Sequence, residues 1–458
     1  MSKKTNPTGS LTLLQKLGYG IGDAGSNFCW SFVAAFIMLY CTNTLGVSAA
    51  VIGTLMMVSK ILDGFTDIFM GNIIDRTHSK MGKARFWYFV SCLPVAVFTF
   101  FLFNVPKSLG STGQYAYVFI VYTLLGAVFY TMNNIAYSAM TALCTRDPKD
   151  RVQMGSFRFV FAIIALLIIQ TITSGLVDGF GGGQAGWTTV SIIYSVICFV
   201  LLLIPVFSVR ELPPEETEEE TKQAVKEEAL GFVESMKILL KNKYFLLILG
   251  LYIINYIVSG LTSGLGIYYA TYQLGNPALL GLLSMSTLLP IIIALPIIAP
   301  FVAKIGMRKS IIWGQILGIV ATIPLLIGAF TGSLVLILIS LGLKGFSGAP
   351  LTASLNALIA EADDYSYLKF GHRITGTVYS CSSVGVKVGT GLGTALCGFI
   401  LDLGGFDGTA AVQTARAVSA INWSYLLTYM IPGFIMLALI YFLKVEADNK
   451  KLREAKED

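Results

Sequence analysis

The chain has 458 residues, of which 55% are hydrophobic and only 13% charged, with a formal net charge of +6 and a mean hydropathy of +0.73. A water-soluble chain of this length carries about a quarter charged residues, so the composition excludes a soluble enzyme or nucleic-acid binder and places the chain in a lipid bilayer. Its seven cysteines are scattered without paired spacing, which excludes a disulfide framework and a zinc site.

Stretches of about 20 residues, long enough to cross a bilayer, number twelve and predict an all-α membrane protein. They lie near 17–45, 50–75, 86–106, 114–144, 155–178, 186–209, 244–273, 279–303, 309–330, 333–360, 374–401 and 421–443. The first span lacks the short apolar core and small-residue cleavage site of a secretory signal and is expected to stay in the mature protein. It carries Asp23, Asn27 and Trp30; from Ala24 to Ser59 there is no acidic or basic residue. The second span then presents Lys60, Asp63, Thr66 and Asp67. At helical spacing Lys60, Asp63 and Asp67 share one face, with the two carboxylates one turn apart, roughly 6 Å along the axis. Ionisable groups at bilayer depth are costly and mark an ion or substrate pathway.

After that span come Gly71, Asp75, Arg76, His78, Lys80, Gly82 and Lys83, a carboxylate at a helix end followed by a basic loop, which read as a gate and topology element. Span four carries Thr131, Asn133, Asn134 and Tyr137, and span five begins around Arg158. Residues 210–243 form the longest polar segment and divide the chain into an N-terminal six-span half (1–209) and a C-terminal six-span half (244–443), followed by a tail (444–458). The stretch around 226–240 reads as amphipathic. In the second half, Tyr244 to Ala303 is a 60-residue run without formal charge, and the later spans carry Lys344 and Lys387. Six spans either side of a loop is the layout of major facilitator transporters, with the substrate between the halves.

Lysine and arginine orient the chain. With both termini in the cytoplasm, 26 of the 32 fall in inner segments and two, Lys107 and Arg416, in outer loops. That asymmetry is a strong positive-inside signal, and the expected place is the cell membrane. The only histidines, His78 and His372, fall in loops, and no nucleophile–base arrangement or phosphate-binding glycine loop is visible. Neither catalysis nor a cofactor is expected, nor an obligate protein partner.

The set Lys60, Asp63, Thr66 and Asp67, the basic loop after it, Arg158 behind Gly155, the run Glu361, Asp363, Asp364, Tyr365 with Lys369, Gly371 and Arg373, and Lys387 between Gly385 and Gly389 together resemble the glycoside–pentoside–hexuronide:cation symporters, the family of the melibiose permease. The resemblance covers essentially the whole chain. It implies the major facilitator fold and uptake of a sugar with Na⁺ or H⁺ by alternating access. By position it makes Asp63 and Asp67 the coupling-cation carboxylates, the only place a Na⁺ is expected, with Thr66 where the melibiose permease has an amide and Thr131 as a further oxygen. Arg158 and Lys387 match the family's sugar-site cations.

Where that permease offers sugar-binding aspartates, this chain aligns Asn27 and Asn133 or Asn134. Trp30 and Tyr137 fall beside these amides and could carry the apolar face of a sugar. Asp23 is a cavity residue or a partner for a gate cation. Away from the span ends Lys60, Arg158, Lys344 and Lys387 stand against Asp23, Asp63 and Asp67, so with its ion bound the cavity is expected to favour an acidic sugar. A lipid-like or drug-like solute is the competing transport reading, disfavoured by the in-span charges. A membrane-embedded enzyme or receptor would need a catalytic constellation or a sizeable aqueous domain.

Overall fold

The computed structural model describes residues 10–212, 232–371, 375–410 and 412–457. Among them helix is the only regular structure, and twelve helices are long and apolar enough to cross a membrane. In the first half these are α1 (Leu13–Thr44), α2 (Ala49–Asp75), α3 (Lys83–Leu102), α4 (Ser111–Leu143), α5 (Pro148–Gly179) and α6 (Gly183–Ser208). In the second half they are α7 (Lys243–Gln273), α8 (Leu279–Ile305), α9 (Met307–Thr331), α10 (Leu334–Phe370), α11 (Thr375–Gly404) and α12 (Ala415–Phe442). The chain is an all-α multi-pass membrane protein.

Two helices outrun the spans read from hydropathy. Helix α5 starts at Pro148, not near 155, because the Asp147 side chain accepts from Lys149 N at 2.9 Å and proline suits the first helical turn. Helix α10 carries Glu361, Asp363 and Asp364 beyond the apolar stretch and stops where Gly371 turns left-handed at φ 81°. Between the halves, a helix at Phe232–Lys241 covers the end of the amphipathic stretch; residues 226–231 lie outside the described residues, as do His372 and Arg373.

The halves repeat one plan. Helix α1 packs on α5 and α6, and α7 packs on α11 and α12. Helices α1 and α7 both end in a π-helical segment, Tyr40–Thr44 and Tyr269–Gln273. Glu211, just after α6, accepts from the backbone N–H groups of Lys83, Ala84 and Arg85 at the start of α3, while Arg85 Nε donates to Val206 O of α6 at 2.7 Å. Glu446, just after α12, accepts likewise from Met307 and Arg308 at the start of α9, and Arg308 Nε donates to Ile440 O of α12. A carboxylate on a helix N-terminus and a guanidinium on a helix C-terminus each answer unpaired backbone groups and the helix dipole.

The halves meet where α2 runs along α11, α5 crosses α8 and α1 touches α7. Three cross-half hydrogen bonds gather at the end of the bundle opposite the termini. Thr42 Oγ1 and Tyr268 OH lie 2.9 Å apart, Asn43 Nδ2 donates to Tyr272 OH at 2.6 Å, and Ser48 Oγ donates to Asp402 Oδ1 at 3.1 Å. Within the second half, small residues allow backbone contact in the way membrane helices favour. A Cβ on Gly389 or Gly393 would stand 2.5 or 2.4 Å from the Ile253 or Ile257 carbonyl of α7, whereas one on Gly391 would meet Lys60 of α2.

Candidate functional site

Helix α2 brings Lys60, Asp63 and Asp67 onto one face, and α11 lays Lys387 across them. The Lys387 ammonium has three donors, and three oxygens take them. Asp63 Oδ1 lies at 2.8 Å, the Asp63 backbone carbonyl at 2.9 Å and Asp67 Oδ2 at 2.6 Å. Asp63 Oδ1 also accepts from Thr131 Oγ1 at 2.5 Å, and its other oxygen faces Lys60 Nζ at 3.2 Å. Asp63 is only 5% exposed. Lys60 sits 3.6 Å over the Trp30 ring, so a cation occupies one face of that ring. Thr66 Oγ1 donates back to the Asp63 carbonyl at 3.0 Å.

Thr131 is aimed at Asp63 by a local irregularity in α4. The π-helical segment Leu124–Tyr130 ends immediately before it, and its hydroxyl reaches Gly126 O as well as Asp63. Such segments recur at functional sites. Two cations and two carboxylates balance here. Chemically the cluster is a hard-oxygen site already filled by a tethered ammonium, and those oxygens suit a small hard cation or a shared proton.

A second ion pair lies within the first half. Arg158 Nε donates to Asp23 Oδ2 at 2.6 Å, and the guanidinium lies 4.2 Å from the Tyr137 ring centre. Arg158 stands eleven residues into α5 and reaches inward to α1 instead of towards a membrane edge. Tyr137 is wholly buried against Tyr19 and Tyr88, at ring separations of 4.5 and 5.1 Å, so its ring is not exposed to a sugar.

Of the two aligned amides on α4, Asn133 is buried and donates to Ser91 Oγ of α3 at 2.9 Å. Asn134 is exposed and lies three residues from Thr131, on the same face. Asn27 donates to the Asp23 carbonyl and accepts from Ser31 Oγ. The Asp75 side chain, expected as a gate, lies outside the described residues. Lys344 stands apart from both clusters, with Nζ 3.8 Å over the Tyr429 ring.

The second half contributes a cleft of about 390 Å³ between α7, α10 and α11. Its polar lining comes from Tyr252, Tyr256, Thr352, Asn356, Ser382 and Ser383; its wall reaches Val386, the neighbour of Lys387. No sequence signal marks it, since these residues are uncharged and spread over three helices. The one available hint is Ser383, a helical turn before Lys387.

Residues 18–447 match the family model described as MFS/sugar transport protein. The isoprimeverose transporter of Lactiplantibacillus pentosus is 30% identical over 447 residues, covering 96% of this chain and 90% of the relative. The glucuronide carrier protein homolog of Escherichia coli (strain K12) is 26% identical, covering 96% and 93%. Among solved structures, the nucleoside transporter NupG superposes with a TM-score of 0.64 at 13% identity, over 93% of this chain and 99% of that one, a likeness of fold.

Proposed function

The chain belongs to the MFS/sugar transport protein family, and from that premise we propose that it takes up a glycoside, pentoside or hexuronide in symport with Na⁺ or H⁺ by alternating access. The observation that carries this reading is the Lys387 ammonium seated on Asp63 and Asp67. Those carboxylates are the coupling-ion site, and Lys387 holds it while the ion is away. An arriving Na⁺, or a proton on Asp67, takes over the carboxylate oxygens and frees the ammonium. Lys387 lies next to Val386 on the cleft wall, so the released ammonium turns towards the sugar. Ion binding thereby completes the sugar site, which is what coupling requires.

In this reading the sugar lies between the halves. Asn27, Asn134 and Arg158 face it from the first half; Asn356, Ser382, Ser383 and the freed Lys387 face it from the second. Asp23 holds Arg158 in position. Hydroxyl- and amide-rich walls suit a polyol and disfavour a lipid-like solute. The lysine and arginine distribution supports cytoplasmic termini, which makes the closed end of the bundle the outer one and the described state inward-facing.

The test is uptake of a panel of labelled glycosides, pentosides and uronides into proteoliposomes under an inward Na⁺ gradient, an inward proton gradient, or neither. Accumulation of at least one sugar under one gradient is expected. Accumulation of none, with facilitated passage of lipid-like solutes, would overturn the reading.

A further inference from the structure

Of Lys60, Arg158, Lys344 and Lys387, three have a carboxylate partner: Lys60 and Lys387 on the α2 pair, Arg158 on Asp23. Lys344 has none. It is 7% exposed, its Nζ finds no hydrogen-bond partner among the described residues, and the Tyr429 ring lies against it. A buried ammonium without an acceptor is expensive, and buried charges are ordinarily paired. An aromatic face compensates in part. The missing element is an anion that the described residues do not supply.

The position of Lys344 in α10 points to its source. On that helix Lys344, Gly348, Thr352, Asn356 and Ile359 recur every three or four residues and form a stripe that winds about a third of the way round the helix. Thr352, Asn356 and Ile359 line the cleft of the second half. Between them and Lys344, a Cβ added to Gly348 would meet nothing within 4 Å. A glycine with open space beside it thus separates the cleft residues from the unpaired ammonium, which lies eight residues and roughly 12 Å along the axis beyond Thr352. Around this far end, Tyr425 of α12 stacks on Tyr269 of α7 at 4.2 Å and meets Tyr429 edge-on at 5.9 Å. The Tyr269 hydroxyl and Asn422 Oδ1 are buried without partners as well.

We propose that Lys344 ends the sugar cleft of the second half and receives the carboxylate of an acidic sugar, with the rest of the sugar lying past Gly348 against Thr352 and Asn356. The proposal rests on the sugar-transport reading above and adds the substrate class and the group that selects it. It places the selecting charge at Lys344 and not at Arg158, which already holds Asp23. Neutral sugars would use the same cleft without engaging its far end.

The experiment is equilibrium binding of 4-nitrophenyl β-glucoside and 4-nitrophenyl β-glucuronide to the purified full-length protein at neutral pH. Wild type is expected to bind the glucuronide at least tenfold more tightly. Lys344→Met should lose that margin and keep glucoside affinity within twofold; Lys344→Arg should restore it. Unchanged glucuronide affinity in Lys344→Met would overturn the proposal while leaving sugar transport standing. Equal loss of both ligands would also overturn it, by showing that Lys344 only supports the fold. If wild type binds neither ligand and the uptake panel is also silent, the sugar reading falls and takes this proposal with it.

Discussion

Lys387 satisfies two carboxylates at once, so removing it should do more than weaken sugar binding. Lys387→Ala leaves Asp63 and Asp67 facing one another with Lys60 as the remaining cation, and an uncompensated buried charge costs about 3–5 kcal/mol. We expect lower thermal stability for this variant, recovered in large part by Na⁺ or by adding Asp67→Asn. A melting curve with and without NaCl reads it; an unaltered curve would mean that the pair carries no strain worth relieving. At Arg158 the expectation concerns affinity. Truncating a buried, hydrogen-bonded charge costs about 2–5 kcal/mol, so Arg158→Ala should raise the Kd for sugar at least tenfold. Asp23→Asn, which keeps shape but frees the guanidinium, should do so by less. Normal sugar binding by Arg158→Ala would remove that residue from the site.

At this scale the sequence was most legible where charge was rare. Lys60, Asp63 and Asp67 stood out because nothing charged precedes them for a whole span, and the helix places them on one face as spaced. Which amide of α4 faces the site was not legible, since neighbouring asparagines differ only by the turn of the helix; packing puts Asn133 against Ser91 and leaves Asn134 exposed. Nor could spacing reveal that Tyr137 is buried against two tyrosines or that Lys60 lies over Trp30. Those are facts of three-dimensional contact.

Among the elements, α11 is the most constrained, because it touches both halves. Gly389 and Gly393 meet carbonyls of α7 closely enough that no side chain fits without moving backbone. Overpacking of this kind costs about 1–3 kcal/mol or more. Gly393→Val should therefore lower the melting temperature and the yield of folded protein, whereas Gly348→Ala, which meets open space, should be silent in both. Equal tolerance at the two positions would show that α7 and α11 are not in backbone contact. The glycine run announces close packing in the sequence, but its division of labour, two glycines against α7 and one against α2, depends on register. The same limit applies to helix ends. Hydropathy stops where charge begins, while helix α5 starts at its Asp147 cap and helix α10 ends at a left-handed glycine.

Across the whole molecule, the paired caps at Glu211 and Glu446 and the paired π-helical ends of α1 and α7 show two halves built alike, joined tightly at one end by Thr42, Asn43 and Ser48 with Tyr268, Tyr272 and Asp402. Alternating access requires that end to part. Asn43→Ala with Tyr268→Phe should shift the population towards the state open there, measured as a longer distance between spin labels at the ends of α1 and α7. Two six-span halves were legible from hydropathy and the central polar segment. The latch was not, because Thr, Asn, Ser and Tyr at helix ends carry no pattern until the halves are docked. The decisive observation remains coupling. In proteoliposomes with an inward gradient of the coupling ion, wild type should concentrate sugar above the external level, while Asp63→Asn should only equilibrate it, with sugar exchange retained. Accumulation by Asp63→Asn to the wild-type level would show that these carboxylates do not hold the driving ion.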